Sequence, residues 1–510
     1  MQVRLAEDAP IAVRAGAIVV PVFTNGELSG AAAALDVVLG GAIAEILSSH
    51  EIKGKLADCA LLHAAGQPFH RVLVVGLGDR AKFEPAHLAR LAGAGVRYLG
   101  RRNVGQIAIA LPDEAKGNET ACASFVTEGA ISGSFDTTIY QEKPDKRIAT
   151  DTVLVLAHGF DVAATKAGIE RGAIVGDAVN FARRLAVTPA NDMTPSILAD
   201  EAVKGAKAAG IEVEIFDEAR IRTENMGSFL SVAQGSAQPP KFIVLTYTGN
   251  PGSKELLALV GKGITFDTGG ISLKPPDRME EMKYDMSGGA AVIAAMCALG
   301  QLKPKINVVG LVPATENMPG GKATKPGDIV KAMNGRTIEV INTDAEGRLI
   351  LADALCYANK LGATKIIDTA TLTGAVVIAL GHAASAAVSN DEAFIHEFLA
   401  AAKPTGERYW HMPIYDDYAT AMKSDIADLK NTGGRAAGTL TAAAFLKSFV
   451  DKTPWIHLDI AGTAYLDNES AWQAKGPTGT PIRAIVSFVE TLAGAPVVHA
   501  NGHTSVPARA

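Results

Sequence analysis

Apolar residues along this chain fall into two rhythms. Short, nearly continuous runs at Ala17-Ile-Val-Val-Pro-Val-Phe23, Arg71-Val-Leu-Val-Val-Gly76 and Asp151-Thr-Val-Leu-Val-Leu156 read as strands, with Ala- and Leu-rich helical segments between them. The alternation predicts an α/β domain with a largely parallel sheet over residues 1–163. Over 164–187, Ile174, Ala178, Phe181, Ala182 and Leu185 recur at helical spacing until Thr188-Pro189 closes the run. A long helix over 164–190 is therefore expected to connect this domain to the next. Beyond Pro189 strand-like runs return at 242–247, 256–260, 306–312, 366–368 and 456–460, with helical runs at 289–299 and 349–361. These predict a second, larger α/β domain over 191–495, followed by a small, polar tail over 496–510 that is expected to be flexible.

Composition narrows the class. With 510 residues, 48% hydrophobic and 20% charged, the chain has ample material for buried cores and is neither disordered nor fibrous. Its formal charge of −6 gives no global basic field to draw it to nucleic acid or acidic lipid. The four cysteines (Cys59, Cys122, Cys297, Cys356) form no CxxC pair or dense framework, so reduced thiols in the cytoplasm are the simplest reading. The first ten residues carry acids where an export signal needs a basic start and an apolar run. The longest candidate membrane span, 373–388, is 16 residues with His382 inside it, short of the ~20 a bilayer requires. Two sequons, at Asn118 and Asn468, read as chance occurrences.

Two motifs fail on inspection. Gly76-Leu-Gly-Asp-Arg-Ala81 has the loose GxGxxA form, but the region about 20 residues on reads Val96-Arg-Tyr-Leu-Gly-Arg-Arg-Asn103, without the acid that a ribose requires. A glycine turn leaving a strand is the better account. His396-Glu-Phe-Leu-Ala400 begins like HExxH, yet Ala400 stands where the second zinc-binding histidine belongs, and a plain helix surface is expected there. Neither a GxSxG elbow nor a GxxxxGK[ST] loop occurs.

Three stretches concentrate charge among apolar and glycine residues: Lys262, Asp267 and Lys274; Asp285; and Asp344, Glu346 and Arg348. Lys262, Asp267 and the Asp344/Glu346 pair lie at or just past predicted strand ends, where open α/β sheets gather ligands. Asp344 and Glu346 are two apart on an extended stretch and would point the same way, repelling each other unless a cation lies between them. With Asp267 and Asp285, four carboxylates suffice to bridge two divalent ions, and Lys262 would add a nitrogen only as a neutral amine. Zinc, manganese, cobalt and magnesium all suit such a set. Surface salt bridges beside glycine turns explain the charges alone equally well. The seven glycines at 261, 263, 269, 270, 288, 289 and 347 favour a site, because they let backbone approach a ligand closely.

Asn342-Thr-Asp-Ala-Glu-Gly-Arg-Leu349 is identical to the NTDAEGRL signature of the leucyl aminopeptidases, the cytosolic two-metal exopeptidases of the M17 type. The stretches 261–274 and 283–289 also resemble that family, as do, more loosely, 188–195, 431–435 and 457–462. The likeness covers roughly 165–490 well and the N-terminal domain only in its general α/β character. It implies a smaller N-terminal domain and a larger catalytic domain with a mixed central sheet. It implies further that Asp267 and Glu346 bridge two metal ions, Mn2+ or Zn2+, that Asp344 joins them at one ion, and that Lys262 and Asp285 complete the other. Lys274 and Arg348 match the catalytic cations, Lys274 for the oxyanion and Arg348 holding a bicarbonate that carries the proton. Met282, Thr371, Leu372 and Gly374 match substrate-pocket positions. The implied activity is removal of N-terminal residues, Leu and other apolar ones favoured, from short peptides by a cytoplasmic homohexamer, with no membrane role.

Two other classes compete. Some bacterial members of that family also bind DNA, and the only suspect surface in the N-terminal domain is Arg97, Arg101 and Arg102, which a solvated helix end explains more simply. A two-metal phosphatase shares the metal chemistry but needs an anion pocket beyond Lys274 and Arg348.

Overall fold

The computed structural model describes residues 1–24, 26–142 and 149–494, with the two-residue strands Val497–Val498 and Thr504–Ser505 beyond them. The rest of the expected tail lies outside the described residues. The chain forms two compact units, one of 1–180 with 467–476 and 496–510, the other of 181–466 with 477–495. The helix expected over 164–190 runs Val162–Val187 and contains the division between them.

In the first unit, β1 (Gln2–Ala6), β2 (Ala17–Val22), β3 (Cys59–His63), β4 (Arg71–Gly76), β5 (Gln106–Ala110) and β6 (Thr152–Leu156) form a sheet in the order β1-β6-β5-β2-β4-β3. Every pair is parallel except β3 with β4. The continuous apolar runs follow from burial on both faces. Val19, Leu73 and Val75 pack with Leu88, Leu91 and Val126, while the alternate residues Ile18, Val20, Val72 and Val74 pack with Leu35 and Ile43. The glycine motif after β4 opens only the three-residue turn Arg80–Lys82, capped by Asp79, and not the helix that a dinucleotide loop needs. Of the suspected basic cluster, Arg97 and Arg101 both pair with Glu469, at 2.6 and 2.5 Å, and Arg102 stacks 3.6 Å over the Tyr98 ring.

The second unit holds a nine-stranded mixed sheet. Its strands are β7 (Glu212–Phe216), β8 (Lys241–Thr248), β9 (Leu257–Gly261), β10 (Gly263–Asp267), β11 (Asn307–Asn317), β14 (Lys365–Ala370), β15 (Ser385–Ser389), β16 (Tyr409–His411) and β18 (Trp455–Asp459). The short β12 (Ile329–Lys331), β13 (Thr337–Glu339) and β17 (Leu429–Lys430) make a separate sheet. The order is β16-β15-β18-β14-β9-β11-β8-β7, with β10 added beside β11. β18, β14, β9 and β11 run parallel, so Lys262, Thr371 and Ile460 leave the sheet at the same edge. The apolar stretch Met279–Leu302 is long enough to cross a bilayer, but its apolar window is 89% buried within the fold, as a core helix is.

At the centre of this sheet Asp368 faces His457 across the strand pair. Its two oxygens take His457 Nδ1 and the Trp455 indole N–H, both at 2.6 Å. Burial pushes the His457 pKa down, but Asp368 outweighs it and holds the imidazole above its ordinary value. Asp368→Ala strands both partners in the core and is expected to cost about 3–5 kcal/mol. Equilibrium denaturation measures this directly, and a loss below about 1 kcal/mol would show the pair is dispensable.

Candidate metal centre

The predicted residues meet at the carboxyl edge of the parallel strands. Lys262 follows β9, anchored by its N–H to Thr369 O and by its carbonyl to the Gly289 N–H. Its side chain passes where any side chain at Gly347 would block it, since a Cβ there would sit 2.7 Å from Lys262 Cε. Lys262 Nζ then reaches Asp285 at 2.7 Å, Glu346 at 2.8 Å and Thr371 O at 3.0 Å. Thr371 Oγ1 donates to the other oxygen of Asp285 at 2.7 Å. Asp267 ends β10, and its Oδ1 accepts from Asn317 Nδ2 and the Gly269 N–H, both at 2.8 Å. Lys274 Nζ lies 2.8 Å from Asp267 Oδ2 and also pairs with Asp344. Gly269 has φ +86°, and a Cβ there would come within 2.9 Å of Asp344 Oδ1, so only glycine fits.

The stretch 341–348 is held from outside by Asn431. This residue follows β17, accepts from the N–H groups of Ile341 and Asn342, and donates to Asn342 O at 2.6 Å. Arg348 lies in the first turn of the helix Gly347–Lys360 and donates from Nη1 to Asn431 O at 2.8 Å, with Nε buried and without a hydrogen-bond partner among the described residues. Asn317, Asn431 and Asp459 were not identified as supports from the sequence. For Asn317 the available signal was a buried amide at the end of an eleven-residue strand whose middle, Val308 to Ala314, has no polar side chain.

Carboxylate oxygens of Asp267, Asp344 and Glu346 lie within 4.8 Å of one another. Burial raises the pKa of Asp267, Asp285 and Asp344, and neighbouring carboxylates add to it. Burial alone would push Lys262 down, but Asp285, Glu346 and Asp267 hold it above its ordinary value. With only protein charges present the carboxylates thus favour the ammonium form of Lys262, whereas the neutral amine is the form expected beside bound cations. Four carboxylates against two ammonium groups leave negative charge in excess, and Glu346 Oε2 is buried without a hydrogen-bond partner among the described residues. An oxygen-rich, under-compensated donor set of this kind fits divalent cations.

The pocket positions behave differently from one another. Thr371 supports Lys262 and Asp285 directly. The Leu372 N–H is taken by Asp459 at 3.1 Å and its side chain packs on the core. Met282 is half-buried three residues before Asp285, and Gly374 is exposed at the start of the helix Gly374–Leu380.

Comparison with known proteins adds a second line. The catalytic-domain model of the cytosol aminopeptidase family matches residues 180–486, and its N-terminal-domain model matches 19–144, so the likeness extends into the N-terminal domain beyond general α/β character. The probable cytosol aminopeptidase of Solibacter usitatus is 49% identical over 489 residues, covering 95% of this chain and 98% of that one. That of Koribacter versatilis is 46% identical over 470 residues, covering 88% and 91%. Among solved structures, a tomato leucine aminopeptidase mutant superposes with a TM-score of 0.87 at 34% identity, covering 96% of each chain. The bottromycin maturation enzyme BotP in complex with Mn gives 0.81 at 30% identity, covering 94% of this chain and 100% of that one.

Proposed function

The chain belongs to the cytosol aminopeptidase family, and from that premise we propose that it is a two-metal enzyme removing N-terminal residues, Leu and other apolar ones favoured, from short peptides. The observation that carries the reading is the convergence of four carboxylates on Lys262 and Lys274 at one sheet edge. In this reading Lys262, Asp267, Asp285, Asp344 and Glu346 would together hold the two ions, Lys262 and Asp285 on one side and Asp344 on the other, with Asp267 and Glu346 shared. Mn2+ or Zn2+ there would acidify a water and polarise the scissile carbonyl. Lys262 must shed its proton to act as a ligand, a change that added cations favour by repelling the ammonium.

The remaining residues orient and stabilise. Lys274, held by Asp267 and Asp344, offers a positive charge to the developing oxyanion. Arg348 would hold a bicarbonate as proton carrier, and its unpartnered Nε and planar fork suit that anion. Met282 would line an apolar pocket for the first side chain, with Thr371, Leu372 and Gly374 along the peptide. A cytoplasmic homohexamer is part of the same proposal. Sedimentation velocity tests it by seeking six times the 52.9 kDa chain mass.

The enzymatic test compares leucine anilide with its N-acetylated form and a phosphomonoester. Release from the free amine alone, abolished by chelator and restored by Mn2+ or Zn2+, is expected. Intact, metal-loaded protein that releases nothing from the free amine would sink the peptidase reading, and phosphate release would transfer the site to the phosphatases. The DNA-binding reading has no structural support beyond the Arg97 cluster, two of whose members Glu469 already engages.

A further inference from the structure

His396-Glu-Phe-Leu-Ala400 lacks the second histidine of a zinc-binding helix, but the fold brings other ligands to His396. The helix Glu392–Ala402 sets Glu392 one turn before His396 on the same face. The edge strand β16 ends in His411, whose ring lies 6.0 Å from that of His396, centroid to centroid, and nearly perpendicular to it at 88°. One Glu392 oxygen lies 3.9 Å from His396 Nε2 and the other 4.0 Å from His411 Nε2. The three donor atoms lie within 4.8 Å of one another.

Separations near 4 Å are too long for hydrogen bonds. Two metal–ligand bonds of ~2.0–2.2 Å span about 3.4 Å in a tetrahedral arrangement and about 4 Å when opposed. Glu392 and His396 are largely exposed, at 76% and 68% of their side-chain surface, so small rotations close the difference. Exposure also leaves room for water to fill the remaining positions. Two imidazoles with one carboxylate select borderline transition cations over Mg2+ and Ca2+, which prefer all-oxygen shells.

We propose that Glu392, His396 and His411 form a second metal site, separate in its residues from the carboxylate centre, which takes Zn2+ or a similar transition cation and ties the helix Glu392–Ala402 to the sheet edge. It is independent of the aminopeptidase reading, since none of its ligands belongs to that centre.

The test is calorimetric titration of the full, tag-free, chelator-treated chain with Zn2+, for wild type, His396→Ala and His411→Ala. Wild type is expected to bind one equivalent more than either variant, and both variants to keep leucine anilide hydrolysis within about twofold of wild type. Zn2+ is also expected to raise the Tm of wild type more than that of the variants, because binding to the native state stabilises it. Equal stoichiometry in all three proteins would overturn the site. Loss of the extra equivalent in only one variant would overturn the three-ligand assignment.

Discussion

Asp344→Ala is expected to leave the fold intact and to cut hydrolysis of a leucine anilide by more than about 10³-fold, beyond the 10- to 100-fold typical of losing an outer partner of a metal ligand. Asp344 sits on a loop whose shape depends on its neighbours and not on its own carboxylate. Asn431 holds 341 and 342, and the Asn342 side chain caps the Asp344 N–H. Burial and the nearby Asp267 disfavour its charge, and Lys274 compensates, so its removal relieves crowding among the acids. Thermal unfolding should accordingly move little, while a cation held by Asp267, Glu346 and Asp344, as proposed, would lose a ligand. The measurement is kcat/KM together with bound metal per chain. A variant that keeps both its full metal complement and a rate within about tenfold of wild type would remove Asp344 from the ligand set.

Lys274→Gln is expected to lower kcat by about 10²- to 10³-fold, the range found for deleting one oxyanion donor, with KM and bound metal nearly unchanged. Burial pushes the Lys274 pKa down, but Asp267, Glu346 and Asp344 outweigh it and hold it above the ordinary lysine value. With protein charges alone the ammonium is therefore the favoured form of Lys274. Gln keeps a hydrogen-bond donor, one bond shorter in reach, but not the charge, so the loss reports chiefly the charge. A raised KM at unchanged kcat would instead mean that Lys274 binds ground state and transition state alike.

The sequence by itself determined the strands buried on both faces and which charged residues were candidates for a site. Strands buried on both faces must be nearly all apolar, so β2, β4 and β6, and β8, β9, β11, β14 and β18 in the larger unit, could be read directly from their runs. The edge strands β1 and β3 carry mixed burial, and β5 alternates Ile with Ala, so their patterns were too weak to see. The charged residues of the centre could be named because carboxylates and lysines among glycines and apolar residues are costly unless they meet a partner. Tertiary structure alone decided which of them meet. Lys262 finds the Thr371 carbonyl 109 residues away, and Asn431 grips a loop about 90 residues upstream. It likewise gave the Leu372 N–H to Asp459 and brought His411 to a helix that the sequence had left as plain surface. Local spacing encodes the rotation of a side chain about its own helix or strand. Contact between distant segments depends on sheet order and register, which no short window of sequence contains.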